Sequence, residues 1–301
     1  MKYKKTIIAS VIVVGLVSAG LFWAARLTKI ESTPLRGNLH VLYGFGGNIV
    51  VSAGDDGVFI IDDQYAPLTW RVIDAIETIS DKPIRYIMNT HFHMDHTGGN
   101  ENLGKKGSII IAHDNVRTRI RDGGSIKAYG VTMEPQLNEA MPVITFNENM
   151  SLYFNGNEAR AMHVEHAHTD GDSIISLPEA NIVVMGDVFF NSGFPFIDVE
   201  NGGSIDGVIA AVHKALDTLI EDATIVVPGH GVVTDKARLQ EYVAMLESTR
   251  KIIAGLKASG KTAEEMIAER SLADFEGEWG ARGEADTARY INAVFNSIEF
   301  T

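Results

Sequence analysis

The chain has 301 residues, of which 45% are hydrophobic and 22% charged, and this composition excludes a disordered, fibrous or low-complexity protein. The formal charge is −13. Since the first 30 residues hold five cations and no acid, residues 31–301 carry 21 cations against 39 acidic residues, which argues against a nucleic-acid-binding surface. The sequence contains no cysteine, so disulfides and thiolate ligands are excluded, and any bound metal needs His, Asp or Glu.

An uncharged run at residues 6–25 follows three lysines and predicts an N-terminal targeting segment over residues 1–29. Two interpretations remain open. In one, the run is the core of a signal peptide that is cleaved after Val17, Ser18 and Ala19. In the other, it is an uncleaved anchor, because 20 apolar residues span a bilayer core of roughly 30 Å. Both predict an exported protein. In a bacterium it would be periplasmic, or anchored in the cytoplasmic membrane by this segment and facing outward.

The first half of the remaining chain predicts short strands with helices between them. After a linker at Ile30–Gly37, the predicted elements are strands at His40–Tyr43, Asn48–Ser52 and Val58–Ile61, an amphipathic helix at Leu68–Ser80, and strands at Ile84–Met88 and Ser108–Ala112.

The second half continues with strands and then becomes helical. Its predicted elements are strands at Met141–Phe146, Ser151–Phe154, Arg160–Val164, Ser173–Leu177 and Asn181–Met185, a helix at Ile205–Leu219, a strand at Thr224–Val227, a helical region from Thr234 to Gly260, a helix opened by the capping box Thr262–Glu265, a glycine-rich connection at Phe275–Gly283, and a last helix near Ala285–Ser297. Sheets covered by helices are expected. We predict a catalytic domain over residues 30–236 and a C-terminal helical extension over residues 237–301.

Four potential metal ligands lie within six residues just after the predicted strand Ile84–Met88: His91, His93, Asp95 and His96. In an extended segment, histidines at alternate positions point the same way. The chain has ten histidines, so the pattern HxHxDH is a rare chance event in this composition. The cluster is dense enough to hold two metals with open positions, as hydrolysis requires.

Three further polar segments follow predicted strands, and their side chains are expected to meet the first cluster at one edge of a sheet. His163, His166 and His168 lie in the segment HVEHAHTDGD, Asp187 in MGD and His230 in PGHG. A carboxylate at Asp187 is placed to bridge two cations, which then lie about 3.5–4 Å apart.

The chain resembles the metallo-β-lactamase-fold superfamily in four motifs that occur in this order over about residues 38–233: HFHMDH, AHTDGD, GD and PGHG. The resemblance implies an α/β (α+β) class of fold, the four-layer αββα sandwich, here with the C-terminal helical extension. It also implies a ligand set in which His91, His93 and His168 bind the first metal. The second metal would be bound by Asp95, His96 and His230, with Asp187 bridging the two. The surrounding residues resemble the glyoxalase-like and β-lactamase-like branch.

Two positions depart from the β-lactamases that are nearest in the later motifs. Those enzymes have cysteine where this chain has Asp187, and they have a lysine for the drug's carboxylate where this chain has Phe190. A bridging aspartate is typical of the thioesterase, lactonase, phosphodiesterase and sulfatase branches. Thioesterases that act on glutathione esters usually have a basic patch in their C-terminal helices, and the basic residues of 237–301 match no such pattern.

The sequence therefore predicts a metal-dependent hydrolase with two Zn²⁺ per chain, with Fe or Mn as alternatives. A metal-bound hydroxide would cleave an ester, thioester, lactone or amide-type bond in a small-molecule substrate, and Asp95 would be the catalytic residue that orients it. Three alternatives stay open: a metallo-β-lactamase acting on β-lactam antibiotics, a non-haem iron sulfur dioxygenase on the same fold, and a tethered binding protein with an inert metal site. The sequence has no nucleophile elbow, Walker loop or dinucleotide glycine fingerprint.

Several residues near the motifs keep two interpretations. His163 and His166 are alternatives to His168 as a metal ligand. Asp62 either orients a ligand imidazole or caps the end of its strand. The aromatic residues after Asp187 either pack in the core or form an apolar wall beside the metals, and they are Phe189, Phe190, Phe194 and Phe196.

Overall fold

Sixteen strands and nine α-helices are formed by residues 29–298, the part of the chain that the computed structural model describes. The strands are β1 (Glu31–Pro34), β2 (Leu39–Tyr43), β3 (Ile49–Gly54), β4 (Gly57–Ile61), β5 (Ile84–Met88), β6 (Ile109–His113), β7 (Gly124–Ile126), β8 (Val131–Met133), β9 (Ile144–Phe146), β10 (Asn149–Phe154), β11 (Asn157–His163), β12 (Ser173–Leu177), β13 (Ile182–Val184), β14 (Phe190–Asn191), β15 (Ile225–Val227) and β16 (His230–Gly231). The helices are α1 (Thr69–Glu77), α2 (Met94–Thr97), α3 (Asn100–Gly104), α4 (Asp114–Asp122), α5 (Ile205–Thr218), α6 (Lys236–Ala258), α7 (Ala263–Ala268), α8 (Ala273–Trp279) and α9 (Glu284–Ser297).

Most strands belong to two sheets. The first sheet has seven strands in the order β1-β2-β3-β4-β5-β6-β9, and the second has five in the order β10-β11-β12-β13-β15. Strands β1 to β4 are antiparallel neighbours, whereas β4, β5, β6 and β9 run parallel. In the second sheet β13 and β15 are the parallel pair. The carboxyl ends of β5, β13 and β15 carry the residues singled out in the sequence.

Side chains alternate between two hydrophobic cores along the central strands. Val50 packs between the two sheets, while its neighbours Ile49 and Val51 pack on the outer face of the first sheet. In the second sheet Ile175 faces the first sheet and Ile174 faces the C-terminal helices. A strand that is buried on both faces has a continuous run of apolar residues, and the central strands of both sheets have such runs.

Helices cover the outer face of each sheet. Helix α1 packs on the first sheet through Val72 and Ile76. Helices α5, α6 and α9 pack on the second sheet through side chains such as Val212, Leu246 and Ile291. The order of layers is helix, sheet, sheet, helix, so the predicted four-layer fold with C-terminal helices is confirmed.

Two predicted connections are wrong. The linker at Ile30–Gly37 contains the edge strand β1, which pairs with β2; its four residues are all exposed, so no alternation of apolar residues marks it. The connection at Phe275–Gly283 begins inside α8, where Gly277 misled the prediction because glycine is a poor helix former. The sequence also gave no indication of the hairpin β7–β8.

The predicted targeting segment lies outside the described residues except for Lys29. Within residues 29–298, no helix combines the length and the apolar character that a bilayer crossing needs.

Candidate metal centre

Seven histidine and aspartate side chains converge at the carboxyl ends of strands from both sheets. Within residues 29–298 they form two adjoining groups: a first group of His91, His93, His168 and Asp187, and a second group of Asp95, His96 and His230. In each group, one ligand atom per residue lies within 4.8 Å of the others. The structure thus brings together all seven residues that the sequence proposes as ligands.

The first motif turns into a helix soon after β5 ends. His93 has an extended backbone and is the N-cap of α2, so His91 and His93 precede the helix. Asp95 and His96 lie inside its single turn, with Asp95 at the N-terminal end. This turn separates the four ligands of the motif into pairs that face different groups.

The ligand atoms of the first group point at one another. Nδ1 of His93 and Nε2 of His168 lie 2.9 Å apart. Oδ2 of Asp187 lies 3.6 Å from that nitrogen of His168 and 3.8 Å from Nε2 of His91. All four side chains are buried.

Hydrogen bonds fix the orientation of two rings in this group. Nε2 of His93 lies 2.9 Å from a carboxylate oxygen of Asp198, and Nδ1 of His168 lies 2.8 Å from the carbonyl oxygen of Phe196. Carboxylate and carbonyl oxygens only accept, so these two nitrogens carry the protons. In the neutral imidazoles, the nitrogens that face the group are therefore left with lone pairs.

The second group lies beside the first, and Asp187 contacts both. Nε2 of His230 is 3.1 Å from Oδ2 of Asp95 and 3.4 Å from Nε2 of His96. Oδ1 of Asp187 is 3.1 Å from Nε2 of His96, and its Oδ2 is 3.4 Å from Nε2 of His230. Asp187 is therefore positioned between the two groups.

Asp62 supports both groups from behind. Its Oδ2 lies 2.7 Å from Nδ1 of His96 and accepts from the hydroxyl of Thr90 at 2.8 Å, and its Oδ1 accepts from the Thr90 N–H. The Thr90 hydroxyl oxygen lies 3.0 Å from Nδ1 of His91. Both interpretations of Asp62 therefore hold, because it orients a ligand imidazole and also binds the backbone at a strand end.

The donor atoms fit a cation better than they fit one another. Nδ1 of His93 and Nε2 of His168 lie 2.9 Å apart and both face the first group, where a single cation could accept a lone pair from each. Nε2 of His91 is one of the buried atoms that lack a hydrogen-bond partner within residues 29–298, and such an atom is costly to bury. Imidazole and carboxylate donors are the ligands that suit zinc. The residues present therefore fit metal ions.

Two glycines allow this close packing. A Cβ at position 47 would lie 2.1 Å from Cε1 of His96, and a Cβ at position 229 would lie 2.0 Å from Oδ1 of Asp187. Gly47 and Gly229 are therefore required by the close approach of the backbone to ligand side chains.

Electrostatics differ between the two groups in the metal-free protein. Burial lowers the pKa of His168 to about 4 and that of His91 well below its usual value. Burial also opposes protonation of His230 and His96, but the nearby carboxylates outweigh it, raising the pKa of His230 to about 9 and that of His96 well above its usual value. Burial disfavours ionisation of Asp95, yet the two adjacent histidines hold its pKa at about 2. At neutral pH, protons thus occupy the second group where a metal would bind.

A cavity of about 410 Å³ opens on both groups. Its other walls are mainly apolar or aromatic, and they include Phe45, Tyr65, Ile126, Tyr129, Val131, Phe190 and Phe196. A concave apolar site with a few convergent polar groups is typical of small-molecule binding.

The phenylalanines after Asp187 divide between the two interpretations. The ring of Phe190 stacks on that of His230, and the ring of Phe196 stacks on that of His93. Both line the cavity. The other two phenylalanines, Phe189 and Phe194, pack in the core beneath the C-terminal helices.

The alternative ligands His163 and His166 lie outside both groups. Nδ1 of His163 bonds to the carbonyl oxygen of Asp172, and its ring stacks on His113 with centroids 3.7 Å apart. Nδ1 of His166 lies 2.9 Å from a backbone carbonyl oxygen of the loop before α5. His168 is therefore the histidine of this segment that faces the site.

Two charged residues of the site are absent from the sequence prediction. Asp198, which orients His93, lies 105 residues further along the chain and belongs to no motif. The sequence hints at Asp198 only through its neighbours: it follows the apolar residues Phe196 and Ile197, and an acidic side chain buried beside them needs a partner because burying an unpaired carboxylate is costly. Arg282 lines the cavity from the loop between α8 and α9, and nothing in the sequence distinguishes it from the other basic residues of that region.

Comparisons with known proteins agree with this geometry. The family model of the Metallo-beta-lactamase superfamily matches residues 42–230. Similar sequences include the probable metallo-hydrolase YqgX of Bacillus subtilis, 29% identical over 159 residues that cover 50% of this chain and 69% of that protein. A hydroxyacylglutathione hydrolase of Polaromonas sp. is 28% identical over 64% of each chain. A linear primary-alkylsulfatase of Pseudomonas sp. is 24% identical over 66% of this chain and 44% of that protein. The chain spans less than two thirds of the length of the last two relatives.

Solved structures share the fold. The sec-alkylsulfatase Pisa1 from Pseudomonas sp. superposes with a TM-score of 0.66 at 16% identity, covering 89% of this chain and 50% of that chain. A metallo-beta-lactamase from Pontibacter korlensis gives a TM-score of 0.60 at 17% identity, covering 73% of this chain and 99% of that chain. At these identities the likeness is one of fold.

Proposed function

Because this chain belongs to the metallo-beta-lactamase superfamily and is a metallo-hydrolase by that membership, we propose that it is a dinuclear zinc enzyme that cleaves an ester, thioester, lactone or amide-type bond in a small molecule. The observation that carries the proposal is the position of Asp187, whose carboxylate oxygens lie within 3.8 Å of ring nitrogens in both groups.

The seven side chains divide into two ligand sets. His91, His93 and His168 would hold the first metal. The second set is Asp95, His96 and His230, and Asp187 would bridge the two metals. When bound, two such cations lower the pKa of a shared water and polarise a substrate carbonyl.

Asp95 is the residue that we assign to orient the attacking water. Burial disfavours ionisation of Asp95, but the neighbouring histidines hold its pKa at about 2 in the protein without metal, and bound cations would likewise favour the carboxylate form, which can accept a water proton. Its Oδ2 already lies 3.1 Å from Nε2 of His230, which places it inside the second group. Asp62 and Asp198 act through the imidazoles that they orient, and the aromatic wall excludes bulk water from the reacting bond.

Metal analysis combined with a substrate panel tests the proposal. We expect about two Zn per chain, hydrolysis that is lost on chelation, and recovery when Zn²⁺ is restored. The panel should hold chromogenic esters, thioesters, lactones, a cephalosporin and a phosphodiester. One Fe per chain with oxygen consumption would favour the dioxygenase, and a marked preference for the cephalosporin would favour a β-lactamase. Full activity after verified metal removal would overturn the proposal.

For location, we propose that the protein is exported, either cleaved after its targeting segment or anchored by it. The uncharged run at residues 6–25 and the lysines before it support this proposal. Cell fractionation with mass spectrometry of the mature N-terminus tests it. A mature protein that begins at Gly20 decides for cleavage, and native full-length protein in the soluble cytosol contradicts export.

A further inference from the structure

Arg282 is the one lysine or arginine among the residues that line the cavity. It lies in the loop between α8 and α9, at the start of the last helical segment, and its side chain is 27% exposed. The other polar groups of this cavity belong mainly to the ligand sets. A single, partly buried cation in an otherwise aromatic wall has no role in the hydrolytic chemistry described above.

The position of Arg282 is defined by the aromatic wall. Its guanidinium carbon lies 5.2 Å from the ring centroid of Phe190, and that ring stacks on His230 at a centroid distance of 5.1 Å. Phe190 and His230 are also register partners in the short pair β14–β16. The two distances limit the separation between the guanidinium and the His230 ring to at most about 10 Å. Arg282 is thus within reach of one end of a molecule whose other end lies at the metals.

The charge on Arg282 is only partly compensated. Its Nε donates to Asp286 at 2.8 Å, but Asp286 also accepts from Arg289, so these three residues keep one excess positive charge. Nη2 of Arg282 donates to the hydroxyl of Tyr129 at 3.3 Å, which holds the guanidinium in place. Nη1 makes no hydrogen bond within residues 29–298. Arg282 is therefore pre-positioned and retains donors for an anion.

We propose that Arg282 binds a distal anionic group of the substrate, a carboxylate or sulfonate that is joined to the scissile bond by an apolar spacer of several atoms. The inference rests on the proposed hydrolase function and assigns the substrate class of that site. Phe196, Ile126 and Val131 line the same cavity and provide the apolar surface that such a spacer would contact. Arg282 is a specificity-determining residue in this scheme and takes no part in bond cleavage.

Matched esters test the inference in the zinc-loaded enzyme. Para-nitrophenyl hexanoate and the mono-para-nitrophenyl ester of adipic acid have the same chain length and differ in the terminal carboxylate. We expect wild type to prefer the anionic ester. Arg282→Gln should lower kcat/KM for it roughly 10- to 100-fold, mainly through KM, and change the neutral ester less than about threefold. Arg282→Lys should restore part of the preference because it keeps the charge.

Arg250→Gln is the matched control, since Arg250 pairs with Asp206 on the outside of the C-terminal helices and does not line the cavity. Metal content and thermal unfolding show whether each variant is folded. If Arg282→Gln lowers both esters equally, or leaves the preference unchanged, the inference is wrong while the hydrolase proposal stands.

A binding measurement separates the two proposals. Calorimetry on the zinc-loaded protein compares phenylpropane sulfonate, a weak zinc ligand, with the neutral phenylpropyl methyl sulfone. We expect tighter binding of the sulfonate in wild type and no difference in Arg282→Gln. Such a result without turnover of either ester would support the anion site and count against ester hydrolysis, whereas equal binding of both probes by wild type would overturn the anion site.

Discussion

The backbone at Gly229 passes so close to Asp187 that a Cβ added at Gly229 would lie 2.0 Å from Oδ1 of that carboxylate. Gly229→Ala should therefore displace the carboxylate that lies between the two ligand groups. We expect loss of the second metal and a fall in kcat/KM of roughly 100-fold, since a displacement of about 1 Å is enough for such a loss. Metal content per chain and steady-state kinetics measure the effect.

Gly255→Ala is the control for that substitution. Gly255 lies in the exposed interior of α6, and a Cβ there meets no atom within 4 Å. We expect unchanged metal content and a protein stabilised by roughly 0.5–1 kcal/mol, because alanine loses less entropy in a helix than glycine. If both variants lose metal to the same extent, the loss does not result from the close packing of Gly229 against Asp187, and the prediction is wrong.

Asp187→Asn keeps the shape of the side chain but removes its charge. The bridge between the metals should weaken, the second metal should be lost first, and kcat/KM should fall by roughly 10²–10⁴. The matched control is Asp222→Asn, an exposed aspartate paired with Lys236 far from the cavity, which should leave activity unchanged. Two metals per chain and near-native turnover in Asp187→Asn would show that another residue bridges.

Asp198 and Asp62 contact histidines of different ligand sets. Replacing each by alanine should therefore lower the affinity for a different one of the two metals. Asp198 bonds His93 in the first group, whereas Asp62 bonds His96 in the second directly and reaches His91 of the first group only through the Thr90 hydroxyl. We expect Asp198→Ala to weaken the first metal roughly 10- to 100-fold, and Asp62→Ala to weaken the second by a similar factor. Stepwise metal titration resolves the two constants in each variant. Equal weakening of both metals in both variants would mean that these carboxylates act on the fold and not on single ligands.

Metal binding to the two groups should release different numbers of protons. In the metal-free protein His230 and His96 have raised pKa values and are protonated at pH 7, whereas His91 and His168 have lowered pKa values and are neutral. A metal in the second group must displace protons from both histidines, so its affinity should rise with pH from neutrality through about 9, the pKa of His230. Calorimetry at pH 7 in buffers with different ionisation enthalpies counts the protons. Equal release in the two binding steps would contradict the assignment.

The seven candidate ligands are predictable because they follow apolar strands and combine into motifs that chance seldom produces. His91 and His230 each lie at a strand end that the hydrophobic pattern already marks, within a few residues of its observed position. The orienting partner Asp198 was not predictable, because its contact with His93 joins segments 105 residues apart and involves no motif. Arg282 was missed for the same reason: only the packing of the C-terminal helices brings it to the cavity.

Strand β1 shows a different limit. Its residues Glu31–Pro34 are all exposed, and pairing with β2 alone holds them in the sheet. Periodicity reports which side chains are buried, so it does not detect an edge strand whose side chains all face water. An exposed edge strand is held by backbone hydrogen bonds. Almost any sequence without several prolines can make these bonds, so the sequence does not mark such a strand.

The ligand groups draw on both sheets: His91 and His93 follow β5 of the first sheet, while His168 and Asp187 follow strands of the second. An ion in the first group would therefore add a further link between two sheets that are already joined by apolar packing and by hydrogen bonds such as that from the Asn48 N–H to the carbonyl oxygen of Gly229. The position of the ligands on both sheets also determines when in folding the ions could bind. Neither ion has its full set of ligands until both layers have docked, and the second ion needs the chain to be complete as far as His230. Binding of the proposed ions would thus be a late event, and for a protein that crosses a membrane before folding it would draw on the ions of the compartment where the chain arrives.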